Sequence, residues 1–215
     1  MASTVANDVQ EKLAALGTAT VHEAQGQTGA MISTIKPIDP LRRLAGPALT
    51  VDARPSDNLM IHHAITKARP GDVLVVDAKG FLEGGAWGDI LTLAAQQAGI
   101  AGLVIDGSVR DAEAIVEMGF PVFCRGLSIK GTNKEQPGQV NEPIVCGGIS
   151  VNPGDLILGD RDGVVAVSPG RAKDVLAAAE AREAKEENIR AELKAGKTTV
   201  EILGLEPTLN RLGVN

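Results

Sequence analysis

Residues 84–111 read GGAWGDILTLAAQQAGIAGLVIDGSVRD, and this stretch decides the fold. Gly84 to Gly88 form a turn, and Asp89 opens a helix predicted over 89–98 that Gly99 closes. Leu103-Val104-Ile105 follow without polar alternation, as expected of a strand buried on both faces. Asp106-Gly107 is read as its end. Asp111 then starts a helix over 112–118, closed by Gly119, and Pro121-Val122-Phe123 begin another strand. Just upstream, the turn Pro70-Gly71-Asp72 precedes the apolar run Val73–Val76. Strand, helix, strand, helix, strand with apolar strands predicts an α/β fold of parallel strands joined by right-handed crossovers.

The flanks agree. GPALTVDA at 46–53 alternates as a strand, and Ser56 or Asp57 caps a helix over 58–68 with Ile61, Ile65 and Ala68 inward. Residues 7–16 form a helix with Leu13 and Leu16 on one face. Leu156–Leu158 and Val164–Val167 are two strands joined by the tight turn Asp160-Arg161-Asp162-Gly163. Residues 171–195 make a charged helix with Val175, Leu176, Ala179, Ile189 and Leu193 as its apolar positions. Its 180–194 half is either a solvated face or an arm on a neighbouring subunit. No linker divides the chain, so a single domain over 1–215 is expected, with the helical arm from about 170.

Of the 215 residues 44% are apolar but only 2% aromatic, so the core must be built from Ala, Val, Ile and Leu. A net charge of -6 and the lack of stacking aromatics argue against a nucleic-acid surface. Cys124 and Cys146 stand apart in apolar stretches and read as buried thiols. MASTVANDVQEKL has no basic-then-apolar leader pattern, and no run approaches the roughly 18 apolar residues of a membrane span. A cytoplasmic protein with no membrane partner is expected.

In parallel sheets, ligands bind beyond the carboxyl ends of the strands. Two loops leave such ends, 77–89 and 106–111. If their strands are neighbours, one cleft holds Gly88, Asp89, Asp106, Arg110 and Asp111. Helix N-termini near 89 and 111 offer N–H groups to an anion. Arg110 suits a carboxylate held in bidentate fashion. Asp111 or Asp89 suits a hard divalent cation, since magnesium keeps several waters and takes one or two protein carboxylates. A cation, an arginine and a small keto acid together favour enolate chemistry. The same residues also fit a plain helix cap and a surface Asp-Arg-Asp ion cluster.

Residues 84–111, followed by GFPVFCRG at 119–126, resemble the shared core of 4-hydroxy-4-methyl-2-oxoglutarate aldolases and the regulator of ribonuclease E activity A (RraA)-like proteins. The resemblance extends from TATVHEA at 18–24 to the helical C-terminus. Its motifs are Gly-Asp-x-Leu at 88–91 and Asp-Gly-x-x-Arg-Asp at 106–111. It implies a swivelling β/β/α fold and a homo-oligomer, trimer or hexamer. It implies cleavage of 4-hydroxy-4-methyl-2-oxoglutarate or 4-carboxy-4-hydroxy-2-oxoadipate to pyruvate and a second oxo acid, with oxaloacetate decarboxylation through the same enolate. Gly88, Asp89, Ile90 and Leu91 are then the pyruvate-binding turn, and Arg110 binds pyruvate and stabilises its enolate. Asp111 is the Mg²⁺ or Mn²⁺ ligand. Asp89 helps position a proton-transferring water. Glu186, or Glu187, arrives from the C-terminal helix of an adjacent subunit. The alternative carried by the same resemblance is a non-catalytic regulator that binds ribonuclease E.

Other features read as structural. His62 and His63 are adjacent on a helix and point apart, so core or surface roles are expected. His22-Glu23 is a weak metal pair. Asp160–Gly163 starts like a calcium loop, but Arg171 stands where the closing Glu is required. No GxGxxG, Walker or S-adenosylmethionine motif is present. The polar segment 128–142 is expected to shape an entrance, with Lys130 and Lys134 available to a distal carboxylate.

Overall fold

The run Val73–Val76 is apolar at every position because its two faces meet two different cores. Leu74 and Val76 pack on one side with Leu103, Ile105, Ile61, Leu91 and Ile115. Val73 and Val75 pack on the other with Val104, Phe123, Ile157 and Val164. Side chains alternate along a strand, so a continuous apolar run is what burial on both faces requires.

The computed structural model describes residues 2–214. Its elements in chain order are α1 (Ala2–Leu16), α2 (Thr18–Ala24), β1 (Lys36–Pro37), β2 (Leu44–Asp52), α3 (Leu59–Ile65), β3 (Val73–Gly85), α4 (Asp89–Gln97), β4 (Gly102–Val109), α5 (Ala112–Met118) and β5 (Val122–Leu127). There follow β6 (Gln139–Val140), β7 (Ile144–Cys146), β8 (Ile149–Val151), β9 (Leu156–Asp160), β10 (Gly163–Val167), α6 (Ala172–Lys194), α7 (Thr199–Leu203) and α8 (Glu206–Leu212). The main sheet runs β1-β5-β4-β3-β2-β9-β10, with β6 also on β2. Strands β2 to β5 are parallel, as the sequence predicts. β9 and β10 form the expected antiparallel pair.

The sheet nearly closes on itself. Ala166 N–H donates to the Gly29 carbonyl (2.9 Å) and Met31 N–H to that of Val164 (2.9 Å). A few residues later Lys36 and Pro37 pair with β5. One short segment therefore ties both sheet edges, which leaves little edge open to foreign strands. The hairpin β7–β8 contributes Ile144, Cys146 and Val151 to the enclosed core. A third core lies under α1, α2 and α6, where Leu13, Val21, Val175 and Leu176 meet Leu156, Leu158, Val165 and Val167.

At the carboxyl ends of the parallel strands the enclosed apolar layers give way to charge. Asp52 and Asp77 are register partners, bridged by Lys79. Asp106 pairs with Arg125 at 3.0 Å and accepts the Gly147 N–H at 3.0 Å.

Several boundaries differ from the sequence reading. β4 passes through Asp106-Gly107 to Val109, and β3 continues past Asp77 to Gly85 with register shifts. Ladder hydrogen bonds carry both strands through the glycine-bearing segments that read as breaks. The helix expected over 58–68 ends at Ile65, and that expected over 7–16 starts at Ala2. Both cysteines are free and buried, and burial pushes Cys124 up to about 11. In α6, Val175, Leu176 and Ala179 are buried, whereas Leu193 is exposed. No helix among the described residues is long and apolar enough to cross a membrane.

The start of α2 rests on Asp160. Its carboxylate accepts the N–H of Thr18 (2.8 Å), the Thr18 hydroxyl (2.7 Å) and the N–H of Asp162 (2.9 Å). Burial pushes Asp160 up, but these donors outweigh it and hold the group below its ordinary 3.8. The folded pKa is thus below the unfolded one. The stabilisation is present above the unfolded pKa and is lost as pH falls through the folded value. Asp160→Asn is expected to cost about 2 kcal/mol in urea unfolding at neutral pH. The gap to wild type should shrink as pH falls to about 3.

Candidate active site

β3 and β4 lie side by side, so the residues that follow each strand share one space. Ala86 N–H donates to the Ser108 carbonyl (3.0 Å), and Arg110 N–H to that of Trp87 (2.8 Å). Trp87 is fully buried and stacks on Phe120, with centroids 6.0 Å apart. Its indole N–H donates to the Thr92 hydroxyl (2.7 Å), which donates in turn to the Gly88 carbonyl (3.0 Å). Asn58 Nδ2 donates to the Ala86 carbonyl (3.0 Å). The turn is held from both sides, and Gly88 is fixed as the residue that precedes α4.

No side chain caps α4 at Gly88. The Ile90 N–H donates to the carboxylate of Asp89 (2.7 Å), and the Asp89 N–H makes only a long contact to Asp111 Oδ2 (3.4 Å). The first turn of α4 therefore presents its positive dipole end to the cleft.

Asp111 holds a left-handed conformation (φ 56°, ψ 36°) at the head of α5, and its side chain makes no cap hydrogen bond. The plain-cap reading of this residue does not hold. Its Oδ2 lies 3.4 Å from Arg110 Nε. The terminal nitrogens of Arg110 meet no carboxylate among the described residues. A Cβ on Gly88 would sit 2.3 Å from Asp111 Oδ2, so a larger residue there would push this carboxylate aside.

The cleft holds about 230 Å³. One wall is the turn from Gly85 to Leu91 with Arg110, and the other is formed by Asn58, His62, Thr132 and Lys134. A second hollow of about 360 Å³ on the far side of Arg110 is walled by Asp111, Leu127, Ser128 and Ile129. A roomier hollow of about 840 Å³ near His63, Lys67 and Arg69 has no helix start among its lining residues. Its size does not outweigh the chemistry at Arg110.

The structure brings Gly88, Asp89, Ile90, Leu91 and Arg110 into this one cleft, whereas Asp111 lines the neighbouring hollow, with its Oδ2 3.4 Å from the Asp89 N–H. Asp106, expected beside them, is spent on Arg125 and Gly147 inside the sheet, because β4 has not yet ended there. Lys130 is paired with Glu83, while Lys134 lines the cleft. His62, expected in a core or surface role, also lines it. Burial holds its imidazole below 6.5, and the charge of Lys134 adds to the effect. Asn58 was not singled out by the sequence. Glu186 lies in α6, paired with Arg182 (3.0 Å) and Arg190 (3.3 Å), and does not line the cleft of its own chain. Glu187 pairs with Arg190 at 3.0 Å. Glu23 is paired with Arg182, and His22 contacts the Thr28 carbonyl.

A family model described as RraA-like, Aldolase/RraA, matches residues 18–166, which include the whole cleft. A Halalkalibacterium halodurans protein named "Putative 4-hydroxy-4-methyl-2-oxoglutarate aldolase" is 43% identical over 157 residues, 73% of this chain and 75% of that protein. The solved structure of an uncharacterized protein from Pseudomonas syringae pv. tomato str. DC3000 matches with TM-score 0.82 at 31% identity, covering 91% of this chain and 92% of that one. Streptomyces coelicolor RraAS2, described as an unusual member of the RNase ES inhibitor RraA protein family, matches with TM-score 0.76 at 30% identity. That match covers 85% of this chain and 96% of the other.

Thr92→Val removes the hydroxyl that links the Trp87 indole to the Gly88 carbonyl and leaves a buried N–H without a partner. The expected cost is about 2 kcal/mol, read from the urea midpoint at unchanged slope. A cost under about 0.5 kcal/mol would show that the turn is held by other contacts.

Proposed function

Because this chain belongs to the RraA-like family, we propose that it is a divalent-metal-dependent pyruvate aldolase acting on 4-hydroxy-2-oxo acids. The mixed α/β fold, with parallel βαβ units and helices around a nearly closed sheet, is that of RraA-like proteins. The substrates that fit best are 4-hydroxy-4-methyl-2-oxoglutarate and 4-carboxy-4-hydroxy-2-oxoadipate. Oxaloacetate decarboxylation is the companion activity, since it passes through the same enolate. The observation that carries this reading is the Asp111 carboxylate, which makes no cap bond, 3.4 Å from the Nε of an Arg110 whose terminal nitrogens meet no carboxylate among the described residues, beside the N-terminus of α4.

Each residue then has a task. The N–H of Leu91 and that of Asp89, whose one contact is the long one to Asp111, receive the substrate's C1 carboxylate, helped by the α4 dipole, while the Ile90 N–H is held by the Asp89 carboxylate. Arg110 grips the keto acid and offsets the negative charge that develops on its C2 oxygen as the C3–C4 bond breaks. The C4 hydroxyl proton leaves to a water oriented by Asp89. The electrons of the broken bond form the enolate, and a proton returned to C3 completes pyruvate. The second oxo acid departs with the new carbonyl at C4.

Asp111 fits a hard cation. It is a partly exposed carboxylate held only by two long contacts, 3.4 Å to Arg110 Nε and 3.4 Å to the Asp89 N–H, at a place that the missing Cβ of Gly88 leaves open. Among the described residues no group of three His, Cys, Asp or Glu could hold a metal; a magnesium or manganese ion on Asp111 would take waters as its other ligands. A bound cation supplies Lewis-acid polarisation of the keto oxygen. Glu186 does not line this cleft in its own chain; on this reading a second copy, in a homotrimer or hexamer, would bring it to the water network. The apolar rim of Ile90, Leu127 and Ile129 beside the cleft supports such packing.

The regulator alternative is favoured by the likeness to RraAS2. The presence of Asp89 and the unspent Arg110 favours the lyase. The deciding assay is pyruvate release from the two substrates and from oxaloacetate, with Mg²⁺ and with EDTA. Arg110→Ala and Asp111→Ala are each expected to lose at least ~100-fold in kcat/KM. Losses below tenfold in both would refute the assignment. Activity unchanged in EDTA would remove the metal from it. No lyase activity, together with capture of ribonuclease E, would favour the regulator.

A further inference from the structure

The wall that faces Arg110 across the cleft has a second side. Two segments build it, α3 and the loop over 128–142, and one buried carboxylate joins them. Asp57 is 2% exposed. Its Oδ1 accepts the Leu59 N–H at the head of α3 (2.9 Å), and its Oδ2 accepts the N–H groups of Glu135 (2.7 Å) and Gln136 (3.1 Å). His62 and Thr132 look into the cleft. Successive positions on a helix point about 100° apart, so the residue after His62 looks elsewhere. His63, Lys67 just past the helix, and Val140 and Asn141 at the far end of the loop line the hollow of about 840 Å³.

This hollow lies at the amino ends of the parallel strands, away from the cleft. Its volume falls in the range of small-molecule sites. Ala48 and Leu49, each 5% exposed, give it an apolar floor. Pro47, Pro70 and Pro153 stand around it. Proline has a fixed φ and no N–H, so these rim segments are stiff and bring few backbone donors. Polar recognition is left to side chains. Lys67, Arg69 and His63 meet no carboxylate within ion-pair distance among the described residues. Asp72, beside them, is turned to the backbone, where its Oδ2 accepts the Arg69 N–H (2.8 Å). Glu11 stands across the hollow on α1.

We infer that this hollow is a second ligand site, which takes a small organic anion carrying two or three carboxylates on Lys67, Arg69 and His63. The carbon skeleton lies on Ala48 and Leu49. An isolated inorganic anion would leave most of the volume empty and would find no helix N-terminus here. The occupant bears on α3 and on the end of the loop, the two segments that also shape the cleft. Asp57 carries the effect between them, because it alone holds the head of α3 and residues 135 and 136 through one side chain. The assignment needs no aldolase activity.

Tricarballylate, a propane with three carboxylates, is the probe, with butyrate as its single-carboxylate control. Titration calorimetry on the full chain in low-salt buffer without added metal is expected to give a Kd below ~1 mM for tricarballylate. Butyrate should bind at least ~10-fold more weakly. The double variant Lys67→Gln/Arg69→Gln should lose at least ~10-fold for tricarballylate, and Glu11→Gln should gain ~3-fold by removing an opposing charge. Both changes are at exposed positions, so the urea midpoint should stay at the wild-type value. Arg110→Ala should bind within ~2-fold of wild type. Hydrogen exchange should slow at 63–71 and 139–141 on binding, and also at the amides of Glu135 and Gln136. Asp57→Asn should abolish the slowing at the last two while binding stays within ~2-fold. No binding, or binding that survives in the double variant and is lost in Arg110→Ala, overturns the site. Unchanged exchange at 135 and 136 overturns the link to the cleft. Pyruvate release enters none of these readouts, so a failed aldolase assay leaves the assignment standing, and a failed titration leaves the aldolase reading intact.

Discussion

A buried indole N–H donates to a threonine hydroxyl, and that hydroxyl donates to the carbonyl of Gly88. The glycine turn, the head of α4 and the approach of Asp111 all depend on this short chain. Both polar groups lie where water does not reach, so each bond broken would leave an unmet donor or acceptor in the core. Trp87 adds its stacking on Phe120, which roots the turn in the core under α4 and α5. The site is thus built from the interior outward. A loop rich in glycine is held rigidly by the one tryptophan of the chain.

Charge is sorted into two populations. At the mouth of the sheet, Asp52, Asp77, Lys79, Asp106 and Arg125 are paired with one another. Desolvation makes an unpaired charge there very costly, so these groups are committed to structure. Beyond the strand ends, Arg110, Asp111 and Lys134 are partly exposed and incompletely paired, with a single 3.4 Å contact between the first two. Solvent supports them, and a ligand can replace that solvent. The boundary between the populations is where β4 stops, three residues past Asp106.

That boundary marks how far the sequence can be read. The parallel order of β2 to β5 is legible because the runs at 73–76 and 103–105 are too apolar for one-sided burial. Gly88, Asp89, Arg110 and Asp111 are legible as a group because glycine and helix-start signals mark both places. Asp106 was misplaced because Asp-Gly reads as a turn, whereas the ladder to β3 and the ion pair with Arg125 keep the strand going. His62 was set aside as a pair with His63. Only three-dimensional packing separates them, turning one to the cleft and leaving the other exposed. Asp57 was legible as a helix cap, but its two bonds to residues 135 and 136 link positions 78 and 79 apart in sequence, beyond any local pattern.

The positive φ at Asp111 has an evolutionary consequence. Among residues with a side chain, asparagine and aspartate enter the left-handed region most readily. A change to asparagine at this position would delete the negative charge without adding backbone strain. A descendant carrying that change would keep the fold while losing the negative charge that lies 3.4 Å from Arg110 Nε. On the proposed reading, catalyst and silent binder would differ at this position by the exchange of an oxygen for an amide nitrogen.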